Sequence, residues 1–366
     1  MELTKYFDTV TDFRVKGRCL HSLADILGLI LLGTIADCDD FTEIQDYGND
    51  KIVFLQTELG FKFLNGIPSE DTLDRVMRHL DPLEIESSMR SCAGEILTNL
   101  SEKHICLDGK EHRGTISEGS KHALIRTVSA WIVDEKFSFG QSQIESKTNE
   151  KTAIPALLDI LDITGSIITI DAIGCQVNIV EKIVNKNADY LIALKQNQGK
   201  LFEQVRDWML LRKGQIAHYE NINKEHGRGE QRKTYICQDL SFLDECQKWK
   251  GLNTLVMTES IRITKLKTTH SYRFYMSSLT DTNAQTYYKL SRDHWAIENH
   301  LHWQLDLTFK EDDSRIRKEN APLNMNIVRK LALYLLSKNT EKSSIKRKRK
   351  KAARDNDFII SILQNS

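Results

Sequence analysis

Hydrophobic positions in the first hundred residues recur at the three- and four-residue spacing that is typical of helices. Eleven residues, Ile26 to Ala36, form a mostly apolar run between two aspartates. A membrane span needs about 20 such residues, so this run predicts a buried core helix. Pro68 and Ser69 then open a second amphipathic run, GIPSEDTLDRVMRHL. We expect a small all-helical domain over residues 1–98.

The pattern changes near residue 103, where short apolar or alternating runs rich in β-branched residues begin. Interleaved with helical runs, they predict the order β-β-β-α-β-α-β, a mixed α/β sheet in a domain covering residues 99–340. The segment at about 199–280 has one helical run followed by three strand-like runs, and we interpret it as a β-rich insertion. These three runs are RKTYICQ, LNTLVMTESIRIT and YRFYMSSL. The helical pattern then returns with TYYKLSRDHWAIENHLHWQLDLTF.

Composition indicates a folded protein of the cytoplasm. Hydrophobic residues make up 40% of the 366 residues, charged residues 28%, and there are four prolines, which argues against extended disorder. The seven cysteines are scattered without a CxxC pair, a pattern typical of reduced thiols. The N-terminal MELTKYFDTV lacks the basic and apolar regions of a secretion signal. We therefore expect a cytoplasmic protein without membrane association.

The formal net charge of zero conceals an uneven distribution. Residues 1–100 carry nine Lys/Arg and eighteen Asp/Glu, whereas residues 315–354 carry fourteen Lys/Arg and two Glu. We interpret residues 341–366, which include KRKRKK, as a basic C-terminal tail. Such a run is either a solvated surface or a binding site for a polyanion such as DNA, and the run alone does not decide between the two.

Two aspartates follow strongly apolar runs. Asp108 and Asp171 are predicted at the C-terminal ends of strands, with a glycine one or three residues later. Open α/β sheets present catalytic side chains at such ends. A single aspartate there is more often a turn residue, because its side chain bonds nearby backbone amides. Two of them on neighbouring strands favour a functional site.

The stretch RDHWAIENHLHWQ supplies a third carboxylate, Glu298. On a regular helix, His294, Glu298 and His302 share one face. Three interpretations follow: a zinc site formed by these three residues, a packed aromatic helix, or a three-carboxylate site with Asp108 and Asp171. Ligands four residues apart on one helix do not close readily around a single zinc ion. We favour three carboxylates holding Mg²⁺ or Mn²⁺ for phosphoryl transfer on nucleic acid.

Several separate stretches resemble one protein family. CLDGKEHRG, TIDAIGCQ, ADYLIALKQNQG and RDHWAIENHLHWQLDLTFKED are similar to successive motifs of bacterial insertion-sequence DDE transposases, in particular the H-repeat-associated proteins of Rhs elements. The N-terminal DFRVKGRCLHSLADILGLILLGTIADCDDFTEI also resembles that group. The resemblance implies an RNase H-like core in which Asp108, Asp171 and Glu298 bind metal. It further implies double-stranded DNA as the partner, at element ends and target, a homodimer in the DNA complex, and association with the nucleoid when bound.

The chain departs from related transposases at three positions. Relatives carry Tyr, Arg and Lys where this chain has Ser291, His294 and Leu305. The resemblance therefore leaves contacts to the terminal phosphate to other residues. The candidates are Arg292, His294, His302 and Lys310, which lie near Glu298 in sequence.

Other basic residues are candidates for DNA contact, although each alone is more often a surface charge. Lys110, Arg113 and Lys195 follow the predicted strand ends, and Arg315 and Arg317 precede the tail. Three functions remain open on the sequence: an active transposase, a nuclease of the same fold that only hydrolyses DNA, and an inactive remnant that binds DNA.

Overall fold

A computed structural model of the chain describes residues 7, 9–91, 100–115, 125–144, 150–225, 228–263 and 267–364. The predicted boundary between residues 98 and 99 lies outside these ranges, as do the predicted strand and helix residues 122–124, 145, 148–149 and 264. The protein contains an N-terminal helical region and one large mixed sheet.

Helices make up the N-terminal region, as the hydrophobic spacing predicts. They are α1 (Leu23–Ile35), α2 (Phe41–Thr57), α3 (Glu70–His79) and α4 (Pro82–Ser91). The apolar run lies in α1, almost all of which is buried, and the Ser22 side chain caps its first turn by accepting from the Asp25 amide. Within the described ranges, no helix is both long enough and apolar enough to cross a membrane.

The predicted order β-β-β-α-β-α-β is confirmed. Its elements are β1 (His104–His112), β2 (Ile125–Ile132), β3 (Phe137–Ile144), α5 (Glu150–Ile160), β4 (Ile167–Ile170), α6 (Val177–Asn185) and β5 (Asp189–Leu194). β1 pairs antiparallel with β2 and parallel with β4, and β4 pairs parallel with β5. The central strands β1, β4 and β5 therefore run in the same direction.

The β-rich segment begins with helix α7 (Gly199–Arg212), as expected, but differs from the prediction in the number of its strands. It contains four described strands instead of three: β6 (His218–Glu225), β7 (Arg228–Cys237), β8 (Thr254–Ile263) and β9 (Thr268–Ser277). Strand β6 was not predicted, because its sequence, HYENINKE, is mostly polar. The four strands also continue the central sheet, because β9 pairs antiparallel with β5. The result is a nine-stranded sheet of order β3-β2-β1-β4-β5-β9-β8-β7-β6.

The predicted long helix around Glu298 is interrupted. Helix α8 (Ala284–His294) ends in a turn at Trp295, and two π-helical segments, Glu298–His302 and Gln304–Thr308, follow. π-Helical turns are rare in proteins, and those that occur are often found at functional sites. Helix α9 (Ala321–Lys338) is buried along most of its length between the N-terminal helices and the sheet.

The C-terminal segment is folded rather than a solvated tail. It forms helices α10 (Ile345–Ala352) and α11 (Asn356–Gln364). Two of the six charges of KRKRKK, Lys348 and Arg349, are buried. Arg349 donates hydrogen bonds to the carbonyl oxygens of Thr34, Cys38 and Thr308. Arg349 thus joins helix α10 to the N-terminal helical region and to the end of the second π-helical segment.

Candidate metal centre

The sheet brings Asp108 and Asp171 to the same place. The sequence predicts Asp108 at the C-terminal end of its strand, but β1 continues to His112. The parallel pairing of β1 with β4 does end at Leu107 and Ile170, one residue before each aspartate. Asp171 caps a short turn by accepting from the Ile173 amide at 2.8 Å. Both carboxylates therefore emerge where the two strands separate.

A cleft of about 1060 Å³ contains all three predicted carboxylates. Asp108, Asp171 and Glu298 line it together with Lys195 and His294. Glu298 is exposed on the first π-helical segment, and the Asp108 side chain is 25% exposed. Solvent therefore reaches at least Asp108 and Glu298 within this cleft.

Among the described residues, one group of three could hold a metal ion: ligand atoms of Asp108, Glu298 and His302 all lie within 4.8 Å of one another. Asp171 lines the cleft but is not a member of this group, and neither is His294, which the zinc interpretation required. The sequence offers His302 as a candidate phosphate contact and, in the zinc interpretation, as a metal ligand. Its Nε2 lies 3.8 Å from Asp108 Oδ2, and the imidazole is buried. The π-helical turn that carries Glu298 also carries His302.

His302 has the properties of a metal ligand. It is buried, and its Nε2 has no hydrogen-bond partner among the described residues. Burial, with a contribution from the nearby Lys110 charge, lowers the pKa of His302 to about 3. The imidazole is therefore neutral at physiological pH and keeps a lone pair for coordination. Two carboxylates and an orphaned imidazole nitrogen fit a divalent cation.

Two further histidines, the buried His104 and the cleft-lining His294, meet at Thr169. The Thr169 hydroxyl lies 2.8 Å from His104 Nε2 and 2.9 Å from His294 Nδ1. If the hydroxyl donates to one imidazole and accepts from the other, the imidazole that accepts must be neutral. Burial lowers the pKa of His104 to about 3 and that of His294 to about 4.

We expect these two histidines to make the protein acid-sensitive. A histidine in the unfolded chain has a pKa near 6.5. Below about pH 6.5 these histidines are therefore protonated in the unfolded state but remain neutral in the folded state, so the free energy of unfolding falls as pH falls. Between about pH 6.5 and pH 5 each histidine should cost about 2 kcal/mol. Urea unfolding of His104→Gln at both pH values should show a smaller loss than wild type.

An exposed histidine provides the control. His270 lies on β9 and is exposed, so His270→Gln should keep the wild-type pH dependence. If His104→Gln loses as much stability as wild type over this range, the Thr169 bridge does not cause the acid sensitivity.

Lys110, a candidate DNA contact in the sequence, belongs to a buried ion network. Its Nζ donates to Asp306 Oδ1 at 2.6 Å and to Glu311 Oε2 at 2.5 Å. Burial alone would raise the pKa of Glu311, but the charge of Lys110 and the contact with His112 reverse this and hold it well below the usual value. Residues two apart share a strand face, so Asp108 and Lys110 lie on one side of β1. Lys110 therefore anchors this strand instead of facing DNA.

The other basic candidates are distributed over several environments. Arg113, Lys195, Arg292 and Arg315 are exposed. Lys310 is exposed but forms an ion pair with Asp39 at 2.7 Å. Arg317 is half-buried and donates to the Gly114 carbonyl at 2.7 Å. Of these residues, Lys195 lies in the cleft with the carboxylates.

The positions where related transposases carry Tyr, Arg and Lys hold no cation here. Ser291 is buried and donates to the Tyr288 carbonyl, His294 bonds Thr169, and Leu305 is fully buried. None of these three residues therefore offers the cleft a positively charged side chain of the kind that the resemblance implies.

Comparisons with known proteins agree along the chain. Residues 100–335 match the family model described as "Transposase DDE domain", and residues 4–92 match the one described as "DDE_Tnp_1-associated". "Putative transposase YncI" of Escherichia coli O157:H7 is 37% identical over 99% of this chain and 94% of its own. "H repeat-associated putative transposase YhhI" of Escherichia coli K12 is 33% identical over 100% of this chain and 98% of its own. A shorter K12 relative, "Inactive transposase YbfQ", is 34% identical over 21% of this chain and 93% of its own.

Proposed function

Because the chain belongs to the insertion-sequence DDE transposase family, we propose that it cleaves DNA at the ends of an insertion element and transfers the strands to a target. The observation that carries the proposal is the open cleft in which Asp108, Asp171 and Glu298 stand together. The strand order β3-β2-β1-β4-β5 supports assignment of the central sheet to an RNase H-like core.

In this proposal Asp108 and Glu298 hold a divalent cation, Mg²⁺ or Mn²⁺, with His302 as a nitrogen ligand, and Asp171 lines the same cleft at the end of the neighbouring strand β4. A bound cation would polarise the scissile phosphate and lower the pKa of the attacking hydroxyl. Imidazole is a softer ligand than carboxylate, so His302 favours Mn²⁺ over Mg²⁺. The buried Lys110 network fixes the strand that carries Asp108.

The substrate is double-stranded DNA. Lys195 lies in the cleft and is placed to hold a phosphate beside the carboxylates. We assign the protein to the bacterial cytoplasm, on the nucleoid when bound, and to a homodimer that brings two element ends together.

A strand-transfer assay tests the proposal directly. Purified protein is given a DNA end with a free 3′-hydroxyl, a target duplex, and Mg²⁺ or Mn²⁺. We expect joined products that disappear when the metal is chelated. Products that are only nicked would identify a hydrolytic nuclease instead. Binding without any cleavage would identify an inactive copy, the state that the name of YbfQ gives for that relative.

A further inference from the structure

A second concave surface lies beside the metal centre, on the part of the sheet formed by β7, β8 and β9. Helix α8 covers one end of this sheet face, where Ile236, Val256 and Tyr275 pack against Tyr287 and Leu290. Beyond the end of the helix the same face is open and forms a groove of about 250 Å³. Because α8 ends at His294, nothing in the described chain covers this groove with a helix.

Strand register shows that the groove is one continuous polar face. Arg232 lies opposite Ser260, which lies opposite Ser271, and Thr258 lies opposite Arg273. These residues are separated by even numbers along each strand from the apolar residues beneath α8, so they point to the same side. The side chains thus change from apolar to basic and hydroxylic where the helix stops.

We name this surface the arginine groove, defined by Arg232, Arg262, Arg273 and Arg292. Of the described residues that line it, one is acidic: Glu230, which pairs with Arg232 at 2.5 Å. Four arginines against one glutamate leave three positive charges in excess. Positive charges placed close together repel one another, and a bound anion relieves this repulsion.

The pKa shifts of two residues that line the groove, Arg292 and Tyr275, reflect the closeness of these positive charges. The pKa of Arg292 is lowered, first by partial burial and then by the positive charge of Arg232. Burial raises the pKa of Tyr275, and the charges of Arg273, Arg232 and Arg292 all oppose this rise. Three of the four arginines therefore lie close enough to the Tyr275 hydroxyl to influence its ionisation.

The arginine groove is continuous with the metal cleft. Arg273, Tyr275 and Trp295 line both surfaces. The Arg273 guanidinium lies 4.4 Å from the centre of the Trp295 ring, and the Trp295 side chain is exposed to solvent. A chain of phosphates passing over these residues would run from the groove to the carboxylates without interruption.

We propose that the arginine groove binds the sugar–phosphate backbone of the DNA that leads away from the scissile phosphate. This inference rests on the proposed function and adds a binding surface to it. Guanidinium groups hold phosphate oxygens through paired hydrogen bonds, and the serine and threonine hydroxyls add further donors. The groove therefore recognises the backbone by charge and spacing and does not require a particular base sequence.

The test measures DNA binding without cleavage. The full-length protein, in chelator, is titrated with a short DNA duplex at several salt concentrations, and the triple variant Arg262→Gln, Arg273→Gln, Arg292→Gln is compared with wild type. Each phosphate contact contributes about 0.9 to the slope of log affinity against log salt, so the slope should fall by about 2 to 3. The corresponding triple lysine variant should keep most of the slope, because it keeps the charges.

Arg75→Gln is the matched control, since Arg75 is exposed on α3 outside the groove and should leave the slope unchanged. An unchanged slope in the triple glutamine variant overturns the inference, as does an equal loss in the lysine variant or in Arg75→Gln. Strand transfer by wild type is measured separately. If wild type joins strands while the glutamine variant binds normally, the groove fails and the proposed function stands. If the slope falls but wild type never cleaves, the groove stands and the proposed function fails.

Discussion

Glu298→Gln is expected to reduce metal-dependent DNA cleavage by roughly a thousandfold or more, because bound metal contributes several kcal/mol to transition-state stabilisation. Glutamine preserves the size of the side chain but removes the charge that holds the cation. Glu298 is exposed, so its loss should not affect the fold. Single-turnover cleavage and calorimetric titration with Mn²⁺ are the measurements, and both should decline together.

Glu181→Gln serves as the control, since Glu181 is an exposed carboxylate on α6 outside the cleft. It should cleave DNA and bind Mn²⁺ as wild type does. Wild-type cleavage by Glu298→Gln would remove Glu298 from the catalytic site. Lost cleavage with unchanged Mn²⁺ affinity would give Glu298 a role other than metal binding.

Arg349→Met is expected to destabilise the fold by about 3–5 kcal/mol, as removal of one partner from a buried ionic cluster does. The guanidinium is fully buried, and it lies 3.1 Å from an Asp39 oxygen and 4.3 Å from the centre of the Phe309 ring. Methionine fills part of the volume but leaves the carbonyl groups of Thr34 and Thr308 without their donor. Urea unfolding followed by circular dichroism gives the free energy of unfolding.

The chain provides a close control in Arg347, two residues away on the same helix and exposed. Arg347→Met should change the free energy of unfolding by less than about 0.5 kcal/mol. Equal effects of the two substitutions would show that helix α10 responds to any loss of charge. A stable Arg349→Met protein would show that the buried contacts contribute little.

Sequence periodicity predicted the elements whose burial follows a simple pattern. α1 is buried around most of its circumference, and β4 and β5 are buried on both faces, so their sequences are almost continuously apolar. β6 shows the opposite case. It is held by hydrogen bonds to β7, and its mostly polar sequence gives no apolar alternation to detect.

The candidate site was less accessible to sequence reasoning. The positions of Asp108, Asp171 and Glu298 in one cleft could be expected from strand adjacency and family resemblance. The approach of His302 to Asp108 could not, because helical spacing places His302 on the face of Glu298 but does not show which strand residue this face contacts. The burial of Lys110 and Arg349 was also missed, since a sequence shows a charge but not the distant carboxylates and carbonyls that accept from it.

The packing of α1 against α9 has a consequence for how the chain folds. These helices lie at opposite ends of the sequence, Leu23–Ile35 and Ala321–Lys338, and each buries apolar residues on the other. At a synthesis rate of about 5–20 residues per second, α1 waits on the order of tens of seconds for its partner. Throughout that interval the most apolar of the described helices lacks the part of its native cover that α9 supplies. The nascent chain is therefore a natural client for chaperones, and its yield should depend on their supply.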